Sequence, residues 1–451
     1  MPMATTMASP PPQSLLRLPL LLFLLTTLAL SSASATANSV YPKEALPTKS
    51  GYLRVNSTTR SSIFYTFYEA QNPTSPSSLP QTPILIWLQG GPGCSSMLAN
   101  FFELGPWLLN QDAVLHPNPA SWNKMFGLLF LDNPIGTGFS IAASPQEIPR
   151  NQFDVARHLF TALREFVALD SSFRTRPIYI TGESYAGKYL PALGYYILKQ
   201  NPLLPRASRI NLAGVAIGNG LTDPEIQVAT HAVNCYNLGL INEKQMAQLE
   251  KLQSETIGLI RRERWGEAGD ARNRVLNTLT NMTGLATLYD FRRLTPYPNR
   301  VVVRFLNNAE VKRALGVEES AVFQLCSPEV GDALHDDVMK SVRFMVEFLV
   351  RETRVLLYQG QADLRDGVMS TLSWVRMMRW EGIRGFLEAE RKVWREGEGG
   401  GLAGYVQRWE KLSHVVVMNA GHLVPTDQPA NSQAMIQDWV LEKGLFAGGK
   451  E

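Results

Sequence analysis

Short apolar runs recur along the chain, and glycine, proline or polar turns bound each of them. Six stand out: ILIWL at 84–88, GLLFLD at 127–132, PIYITG at 177–182, NLAGVAIGNG at 211–220, RVLLYQG at 354–360 and HVVVMNAG at 414–421. Continuous runs of this length are typical of strands that are buried on both faces of a parallel sheet. Helical patterns separate several of them, as at 153–169 and 340–352. The alternation predicts a doubly wound α/β fold, with a mostly parallel sheet flanked by helices.

The alternation stops over residues 223–330, where helical, charged sequence replaces the apolar runs. We interpret this stretch as an inserted, mainly helical cap that divides one α/β core into a first part, 36–222, and a second part, 331–451. Its charge run RRER at 261–264 is typical of a solvated helix face rather than of a binding patch.

Two smaller stretches also depart from the alternation. SSIFYTFYEA at 61–70 predicts an antiparallel strand, and the Pro/Ser-rich residues 71–83 predict a loop, both at the edge of the sheet. Residues 381–409 contain the glycine-rich run EGEGGG, which predicts a mobile surface loop.

The N-terminus predicts a cleaved secretory signal. Arg17 precedes the apolar run LPLLLFLLTTLAL at 18–30, and small residues follow it. Such a run is short for a membrane span, and the triplet ASA at 33–35 fits signal peptidase, so we expect removal of residues 1–35. A signal anchor is the alternative. Cleavage would leave a chain without a membrane anchor in the secretory pathway, either secreted to the extracellular space or sent to a vacuole.

Composition excludes some classes of protein. The 451 residues are 45% hydrophobic with a formal net charge of +3, which argues against a wholly disordered chain and against nucleic-acid binding by bulk charge. Three cysteines, Cys94, Cys235 and Cys326, allow at most one intrachain bridge. Sequons at Asn56 and Asn281 predict glycosylated surface loops if the chain is secreted.

A nucleophile elbow is predicted at Ser184. The buried run PIYIT leads into GESYAGK and then into a helical pattern, which puts Ser184 on the sharp turn between strand and helix. The motif G-x-S-x-G is met except at its last position, where Ala186 stands before Gly187. Alanine is still small enough for the crowded turn. Because such strings are common, this motif alone does not establish catalysis.

A serine nucleophile needs a base, and the base needs a carboxylate that fixes its tautomer and orientation. His422 follows the run HVVVMNAG, where a loop at the carboxyl end of the strand would present it, whereas His414 begins that strand. The acid is expected just after RVLLYQG, at Asp363, with Asp366 as the competing candidate. The order Ser184, Asp363, His422 is that of α/β hydrolases.

An oxyanion hole requires backbone N–H donors that face the developing negative charge, and glycine lets a backbone come close. The glycine-rich run QGGPGCSS at 89–96 follows the strand ILIWL. We assign the hole to the N–H of Gly91 and to that of Tyr185, the residue after the nucleophile. An ordinary strand-to-loop turn is the alternative interpretation of the run.

Six sequence blocks resemble those of the serine carboxypeptidases, particularly the plant serine carboxypeptidase-like proteins. They are WLQGGPGCSS (87–96), LDNPIGTGFS (131–140), GESYAGKYLP (182–191), IGNGLTDP (217–224), GQAD (360–363) and NAGHLVPTDQP (419–429). The resemblance covers nearly the whole predicted mature chain. It implies an α/β-hydrolase fold with a helical cap, hydrolysis at peptide or protein C-termini, the triad and oxyanion hole assigned above, and no cofactor. It leaves a homodimer open.

The resemblance also implies a clamp for the terminal carboxylate of the substrate. Gln89 and Glu183 would form it, with Gly90 and Trp87 beside them. The family usually has Asn where Gln89 stands, and glutamine keeps the amide but adds a methylene, which changes the geometry offered to a carboxylate.

The cysteines depart from the family pattern as well. Family members carry several disulfides, and here the resemblance implies only one, between Cys94 in the oxyanion loop and Cys326 at the end of the cap. Cys235 would then be a free, buried thiol.

The chemistry of a carboxylate clamp supports Glu183 independently. A protonated Glu can donate a hydrogen bond to a carboxylate, but an unperturbed Glu has a pKa of about 4.3. The role therefore requires acid conditions or a raised pKa, and we expect better peptide hydrolysis at acid pH. The alternative is that Glu183 only braces the elbow.

Three other functions are open at this point. A serine carboxypeptidase-like acyltransferase would use the same triad to pass an acyl group to an alcohol, but it needs no clamp, so Glu183 favours hydrolysis. A catalytically idle binding protein would not need the triad. GESYAGK at 182–188 also fits a nucleotide-binding loop, except that Tyr189 stands where Ser or Thr must bind magnesium. Dispersed histidines and the lack of H-E-x-x-H predict no metal site.

Overall fold

The six apolar runs form the centre of one large sheet. The structure, a computed structural model, describes residues 40–73, 76–397 and 399–447. The strands in chain order are β1 (Lys49–Arg54), β2 (Ser62–Tyr68), β3 (Ile84–Leu88), β4 (Trp107–Leu109), β5 (Leu115–Pro117), β6 (Gly127–Leu131), β7 (Ile178–Glu183), β8 (Leu212–Gly218), β9 (Arg354–Gly360), β10 (Lys392–Arg395), β11 (Leu402–Trp409) and β12 (Leu412–Val417).

Ten of these strands lie in the order β1-β2-β6-β3-β7-β8-β9-β12-β11-β10, and β4 pairs with β5 separately. The six central strands, from β6 to β12, run parallel, while the strands outside them pair antiparallel. Every residue of β3 and β6 is buried, as expected for strands covered on both faces. The predicted mostly parallel sheet is confirmed.

Helices cover both faces of the sheet. They are α1 (Met97–Phe102), α2 (Gln152–Ala168), α3 (Ala186–Gln200), α4 (Pro224–Val228), α5 (His231–Asn237), α6 (Glu243–Arg261), α7 (Trp265–Thr283), α8 (Arg300–Leu306), α9 (Ala309–Leu315), α10 (Pro328–Ala333), α11 (Arg343–Glu352), α12 (Val368–Val375), α13 (Ile383–Glu388), α14 (Val424–Asp427) and α15 (Pro429–Leu441).

Side chains alternate along β3 between two hydrophobic cores. Ile84 and Ile86 pack with residues of α2, α3 and α11, whereas Leu85 and Trp87 pack on the opposite face with residues of α1, α8 and α15. The period of two that defines a strand thus sends neighbouring residues into different layers. The result is the three-layered arrangement expected of a doubly wound sheet.

The described residues between β8 and β9 form helices joined by irregular loops, in line with the mainly helical segment that the sequence predicts for 223–330. Residues of α5, α6 and α7 form a small hydrophobic cluster of their own around the buried free thiol of Cys235. Helices α8 and α9 instead join the core beneath the sheet. The domain boundaries at residues 223 and 330 stay a prediction.

The sequence prediction for residues 381–409 is wrong. Instead of a mobile loop, this stretch forms α13 and the strands β10 and β11, which extend the sheet beyond β12. Gly397 and Gly399 lie between the two strands of this hairpin and have φ of 67° and 74°, a region that glycine adopts freely. At the other edge, β2 is antiparallel as predicted, but β1 lies outside it.

The predicted signal peptide, residues 1–35, lies outside the described residues. Within the described ranges, no helix is long and apolar enough to cross a membrane. The sequon residue Asn56 is partly exposed, and Asn281 is exposed near the end of α7. Glycosylation of both residues stays a prediction.

A buried ion pair fixes the helix that follows the predicted nucleophile. Lys188 in α3 is fully buried, with its Nζ 3.3 Å from Oδ2 of Asp337. Burial lowers the pKa of Lys188 to about 8. Oδ2 of Asp337 also accepts hydrogen bonds from Nε2 of Gln152 at 2.6 Å and from the hydroxyl of Tyr185 at 3.2 Å. The pair therefore ties α3 to the segment that precedes α11.

We expect the substitution Asp337→Ala to lower the free energy of unfolding by about 3 kcal/mol, because it leaves a buried ammonium group without its counter-charge. The matched control is Asp336→Ala, whose side chain is 77% exposed and whose loss should cost within about 0.5 kcal/mol. Urea unfolding at pH 7 measures both. Equal losses in the two variants would show that the buried pair is not a significant contributor.

Candidate active site

Ser184 lies on the turn between β7 and α3, with a φ of 63° that marks the strained backbone of an elbow. Close packing leaves no room for side chains around it. A Cβ on Gly182 would lie 2.2 Å from the carbonyl oxygen of Leu88, and one on Gly187 would lie 2.7 Å from Cα of Gly220. The close backbone approach thus falls at Gly187, one residue after Ala186, which stands where the motif has its second glycine.

His422 and Asp363 form a hydrogen-bonded pair. Nδ1 of His422 lies 2.7 Å from Oδ2 of Asp363, and both side chains are buried. Burial alone would lower the pKa of His422, but attraction to the Asp363 carboxylate and the hydrogen bond with it raise the pKa above its ordinary value. The arrangement holds the imidazole with Nε2 as its free nitrogen.

Nε2 of His422 is buried and has no hydrogen-bond partner within the described part of the chain. Ser184 and His422 line the same cavity, but the hydrogen bond between Oγ and Nε2 is not formed in this conformation. Catalytic hydrogen bonds are often long in unliganded sites and tighten when substrate binds. The structure therefore brings the three predicted residues to one site. The hydrogen bond between Asp363 and His422 is formed in it.

The competing candidates lie elsewhere. Asp366 forms a buried ion pair with Arg272 of α7, at 3.2 Å. His414 is buried within β12, opposite Leu357 of β9, and burial lowers its pKa to about 3. Neither side chain has a contact that would serve Ser184 as acid or base.

Asn219 is a site residue that sequence reasoning missed. It follows β8 with a φ of 42°, and its Nδ2 donates a hydrogen bond of 2.7 Å to Oδ2 of Asp363. The backbone N–H of Arg365 donates to the other carboxylate oxygen at 2.7 Å. These donors fix the orientation of the carboxylate. The signal available in the sequence was Asn219 itself, a polar residue directly after an apolar run.

The glycine-rich loop packs directly onto the elbow. A Cβ on Gly90 would lie 2.6 Å from the backbone nitrogen of Tyr185 and 2.7 Å from Cβ of Ser184. Gly91 has a φ of 115°, which requires glycine, and it lines the cavity with Ser184. Tyr185 precedes the first turn of α3, where the helix dipole favours negative charge. The geometry suits the predicted oxyanion hole.

The block LDNPIGTGFS braces this loop. Asp132 is fully buried, and its Oδ1 accepts hydrogen bonds from Oγ of Ser95 at 2.5 Å and from the N–H of Ser96 at 3.0 Å. Its Oδ2 accepts from the N–H of Phe139 at 2.9 Å. Burial raises the pKa of Asp132 to about 6, although these donors favour the charged form.

A disulfide fixes the far end of the loop. Cys94 and Cys326 are bonded, as the resemblance implied. Backbone hydrogen bonds flank the bridge, from Ser95 N–H to the Leu325 carbonyl at 2.8 Å and from Ser327 N–H to the Gly93 carbonyl at 2.9 Å. The loop therefore has a covalent anchor beside the buried Asp132 brace.

Trp87, Gln89 and Glu183 form a buried chain of hydrogen bonds. Nε1 of Trp87 donates to Oε1 of Gln89 at 2.8 Å, and Nε2 of Gln89 donates to Oε1 of Glu183 at 2.8 Å. Burial raises the pKa of Glu183 to about 7, although His422 and Gln89 favour its charged form. Oε2 of Glu183 is buried without a hydrogen-bond partner in the described chain.

Glu103 is a second buried carboxyl group near this chain, and sequence reasoning missed it. It follows α1 and is only 1% exposed, and neither of its oxygens has a hydrogen-bond partner among the described residues. Burial raises its pKa well above the ordinary value, and repulsion from Glu183 and Asp427 raises it further. The site of Glu103 therefore favours the uncharged form of its carboxyl group. A lone Glu in no motif gave no signal in the sequence.

Several of the groups described above line one cavity of about 270 Å³. Gln89, Gly91, Glu183, Ser184 and His422 line one side of it. The remaining wall is largely apolar and is formed by Leu98, Leu325 and Leu423 together with Tyr289, Pro296 and Tyr297 of the inserted segment. A reacting serine, a hydrogen-bonding carboxyl group and an apolar wall thus share one small space.

A sequence model of the serine carboxypeptidase family matches residues 40–442. The chain belongs to the serine carboxypeptidase family. Serine carboxypeptidase-like 50 of Arabidopsis thaliana is 57% identical over 433 residues, which cover 96% of each chain. Probable serine carboxypeptidase CPVL of Dictyostelium discoideum is 36% identical over 407 residues, or 89% of this chain and 80% of that protein.

A solved structure of the family has the same fold. It is Kex1(delta)p, a prohormone-processing carboxypeptidase from Saccharomyces cerevisiae, with a TM-score of 0.80 and 25% identity over 88% of this chain and 92% of that one. The α/β-hydrolase fold expected from the sequence is confirmed. The enzyme class, a serine carboxypeptidase hydrolase, is confirmed as well.

We expect Asp363→Asn to slow the labelling of Ser184 by a fluorophosphonate about 10⁴-fold, because the imidazole loses the acceptor that sets its tautomer. Asp366→Asn is the matched control. It removes a charge from the same loop and weakens the ion pair with Arg272, so it should lower the melting temperature but leave the labelling rate within about tenfold. Similar losses of labelling in both variants would contradict the assignment of Asp363.

Proposed function

We propose that the protein is a serine-type carboxypeptidase that releases the C-terminal residue of peptides or proteins through an acyl-enzyme on Ser184. The observation that carries this proposal is Glu183, which lines the same cavity as Ser184 and His422 and whose buried Oε2 has no hydrogen-bond partner in the described part of the chain. A group that can offer a hydrogen bond to a terminal carboxylate thus lies next to the nucleophile. The apolar wall suits substrates that end in an apolar residue.

In the proposed reaction, Nε2 of His422 removes the proton of Ser184 as Oγ attacks the scissile carbonyl carbon. The N–H groups of Gly91 and Tyr185 stabilise the oxyanion. The imidazolium then gives its proton to the leaving amine, and the C-terminal residue departs as a free amino acid. Water, deprotonated by His422, hydrolyses the acyl-enzyme in the same manner.

The clamp works in its protonated form. With a pKa of about 7, Glu183 is largely protonated below neutral pH and can donate to the substrate carboxylate through Oε2. Above that pH it becomes an anion and repels the same carboxylate. Gln89 fixes the orientation of Glu183 through Oε1. Binding of a free C-terminus should therefore favour acid conditions.

An acyltransferase of the same family would use the same triad, oxyanion loop and base. The pairing of Gln89 with an acid of raised pKa supports hydrolysis, since transfer from an activated ester to an alcohol needs no donor for a carboxylate. We also propose that the protein works in the secretory pathway, in an extracellular or vacuolar compartment. The Cys94–Cys326 disulfide supports this, because such bonds persist in oxidising compartments.

Purified protein should release free leucine from an N-blocked dipeptide that ends in leucine, and Ser184→Ala should abolish this release. The same dipeptide as its C-terminal amide should react at least about tenfold more slowly, because it lacks the carboxylate that Glu183 binds. Chromatography follows the release of leucine from the free dipeptide and of leucinamide from its amide. Labelling of Ser184 by a fluorophosphonate without any release, but with ester-dependent acylation of an added alcohol, would favour the acyltransferase instead.

The Michaelis constant for the free dipeptide should rise about tenfold between pH 6 and pH 8 in the wild type, because Glu183 with a pKa of about 7 loses its proton over this range. In Glu183→Gln the side-chain amide donates at every pH, so the constant should change less than about twofold. Steady-state kinetics at several pH values tests this. A constant that does not change with pH in either protein would refute the clamp.

A further inference from the structure

Residues 288–297 of the inserted segment, here called the strap, join both loops of the candidate triad. The carbonyl of Leu288 accepts a hydrogen bond of 3.0 Å from the N–H of Leu364, the residue after Asp363. The carbonyl of Tyr289 accepts one of 2.7 Å from the N–H of His422 itself. A segment outside the α/β core is therefore bonded through its backbone to the acid loop and to the base loop.

The ring of Tyr289 lies on the imidazole of His422. The two ring centroids are 4.5 Å apart with an interplanar angle of 24°, which is a stacked arrangement. The guanidinium carbon of Arg365 lies 5.3 Å from the centroid of the Tyr289 ring. The tyrosine thus packs against both the imidazole and a cationic side chain of the acid loop.

The strap also supports the base loop at a second point. The hydroxyl of Tyr297 donates a hydrogen bond of 2.7 Å to Oδ2 of Asp427, and that oxygen accepts one of 2.7 Å from the N–H of Gly421. A Cβ on Gly421 would lie 2.4 Å from the carbonyl oxygen of Tyr289. Only glycine lets the strap come this close to the residue before His422.

A single hydrogen bond at Nδ1 does not fix the plane of an imidazole, because the ring can still tilt about the line between the two bonded atoms. The stacked ring of Tyr289 removes that freedom. We propose that Tyr289 is a positioning residue for His422, which keeps Nε2 directed at Ser184 and stabilises the imidazolium formed during attack. This inference rests on the proposed triad and goes beyond it by assigning a role to the strap.

The charges around His422 set the expected response to pH. Asp363, Glu183 and Asp366 favour the imidazolium. Arg365 lies over the Tyr289 ring and is the cationic side chain of the same group of residues. The π face of Tyr289 adds a further favourable contact, since aromatic faces attract cations. Removal of the ring should therefore make the imidazole easier to deprotonate and also less well oriented.

The test compares Tyr289→Leu with Tyr289→Phe, which keeps the ring. The rate constant for fluorophosphonate labelling of Ser184 is measured between pH 4 and pH 9, since it requires only an activated serine. We expect Tyr289→Leu to label about tenfold to a hundredfold more slowly at its optimum, with the acid limb about half a pH unit lower. The labelling rate of Tyr289→Phe should stay within about threefold of the wild-type rate, and the acid limb of its pH profile should not move.

Several outcomes overturn the inference. The inference fails if folded Tyr289→Leu is labelled at a rate within about threefold of the wild type and with the same pH profile. It also fails if Tyr289→Phe loses as much of the labelling rate as Tyr289→Leu does. Labelling is measured well below the melting temperature of each variant, so that a lower rate constant does not come from a smaller folded fraction; thermal melting gives that temperature. If Tyr289→Leu does not fold, Tyr289→Met, with a longer unbranched side chain, replaces it and must meet the same expectations.

The experiment also separates this inference from the proposed function. Wild-type protein that is not labelled, or Ser184→Ala that is labelled equally, would mean that the triad assignment fails. Normal labelling of the wild type with no effect of Tyr289→Leu would mean that only the role of the strap fails. A peptidase assay on the same variants adds a second readout, in which kcat should fall more than the Michaelis constant rises.

Discussion

Parallel pairing of neighbouring strands is the constraint on which the site depends. Because β7, β8, β9 and β12 run in the same direction, their carboxyl ends meet at one edge of the sheet. Ser184, Asn219, Asp363 and His422 each follow one of these ends. The residues are far apart in the sequence. The hydrogen bonds between the strands bring them close together in space.

The electrostatics of the cavity set two opposite demands. His422 must lose a proton to act as a base, and the clamp carboxyl must keep one to bind a carboxylate. Burial raises the pKa of Glu183, and the Asp363 carboxylate raises that of His422. The two groups influence each other, because a charged Glu183 favours the imidazolium. Burial and repulsion from Glu183 likewise raise the pKa of the nearby Glu103.

The central strands and the candidate triad could be predicted because their signals are local. An apolar run of five to seven residues between turns indicates a buried strand. A polar residue just after the run indicates the edge of the sheet at which that strand ends. The hairpin β10–β11 was missed because its glycine-rich turn dominated the pattern. Glu103 and Tyr289 could not be found in this way, since their roles arise only when α1 and the inserted segment pack beside the elbow.

The position of β12 bears on when the candidate triad comes together during folding. This strand must pair with β9, which is distant in the sequence, before His422 can approach Asp363 and Ser184. Pairing between distant strands is a late and slow event in folding. A partly folded chain in which β7 and α3 already present Ser184, but β12 is not yet paired, therefore lacks the imidazole beside its serine.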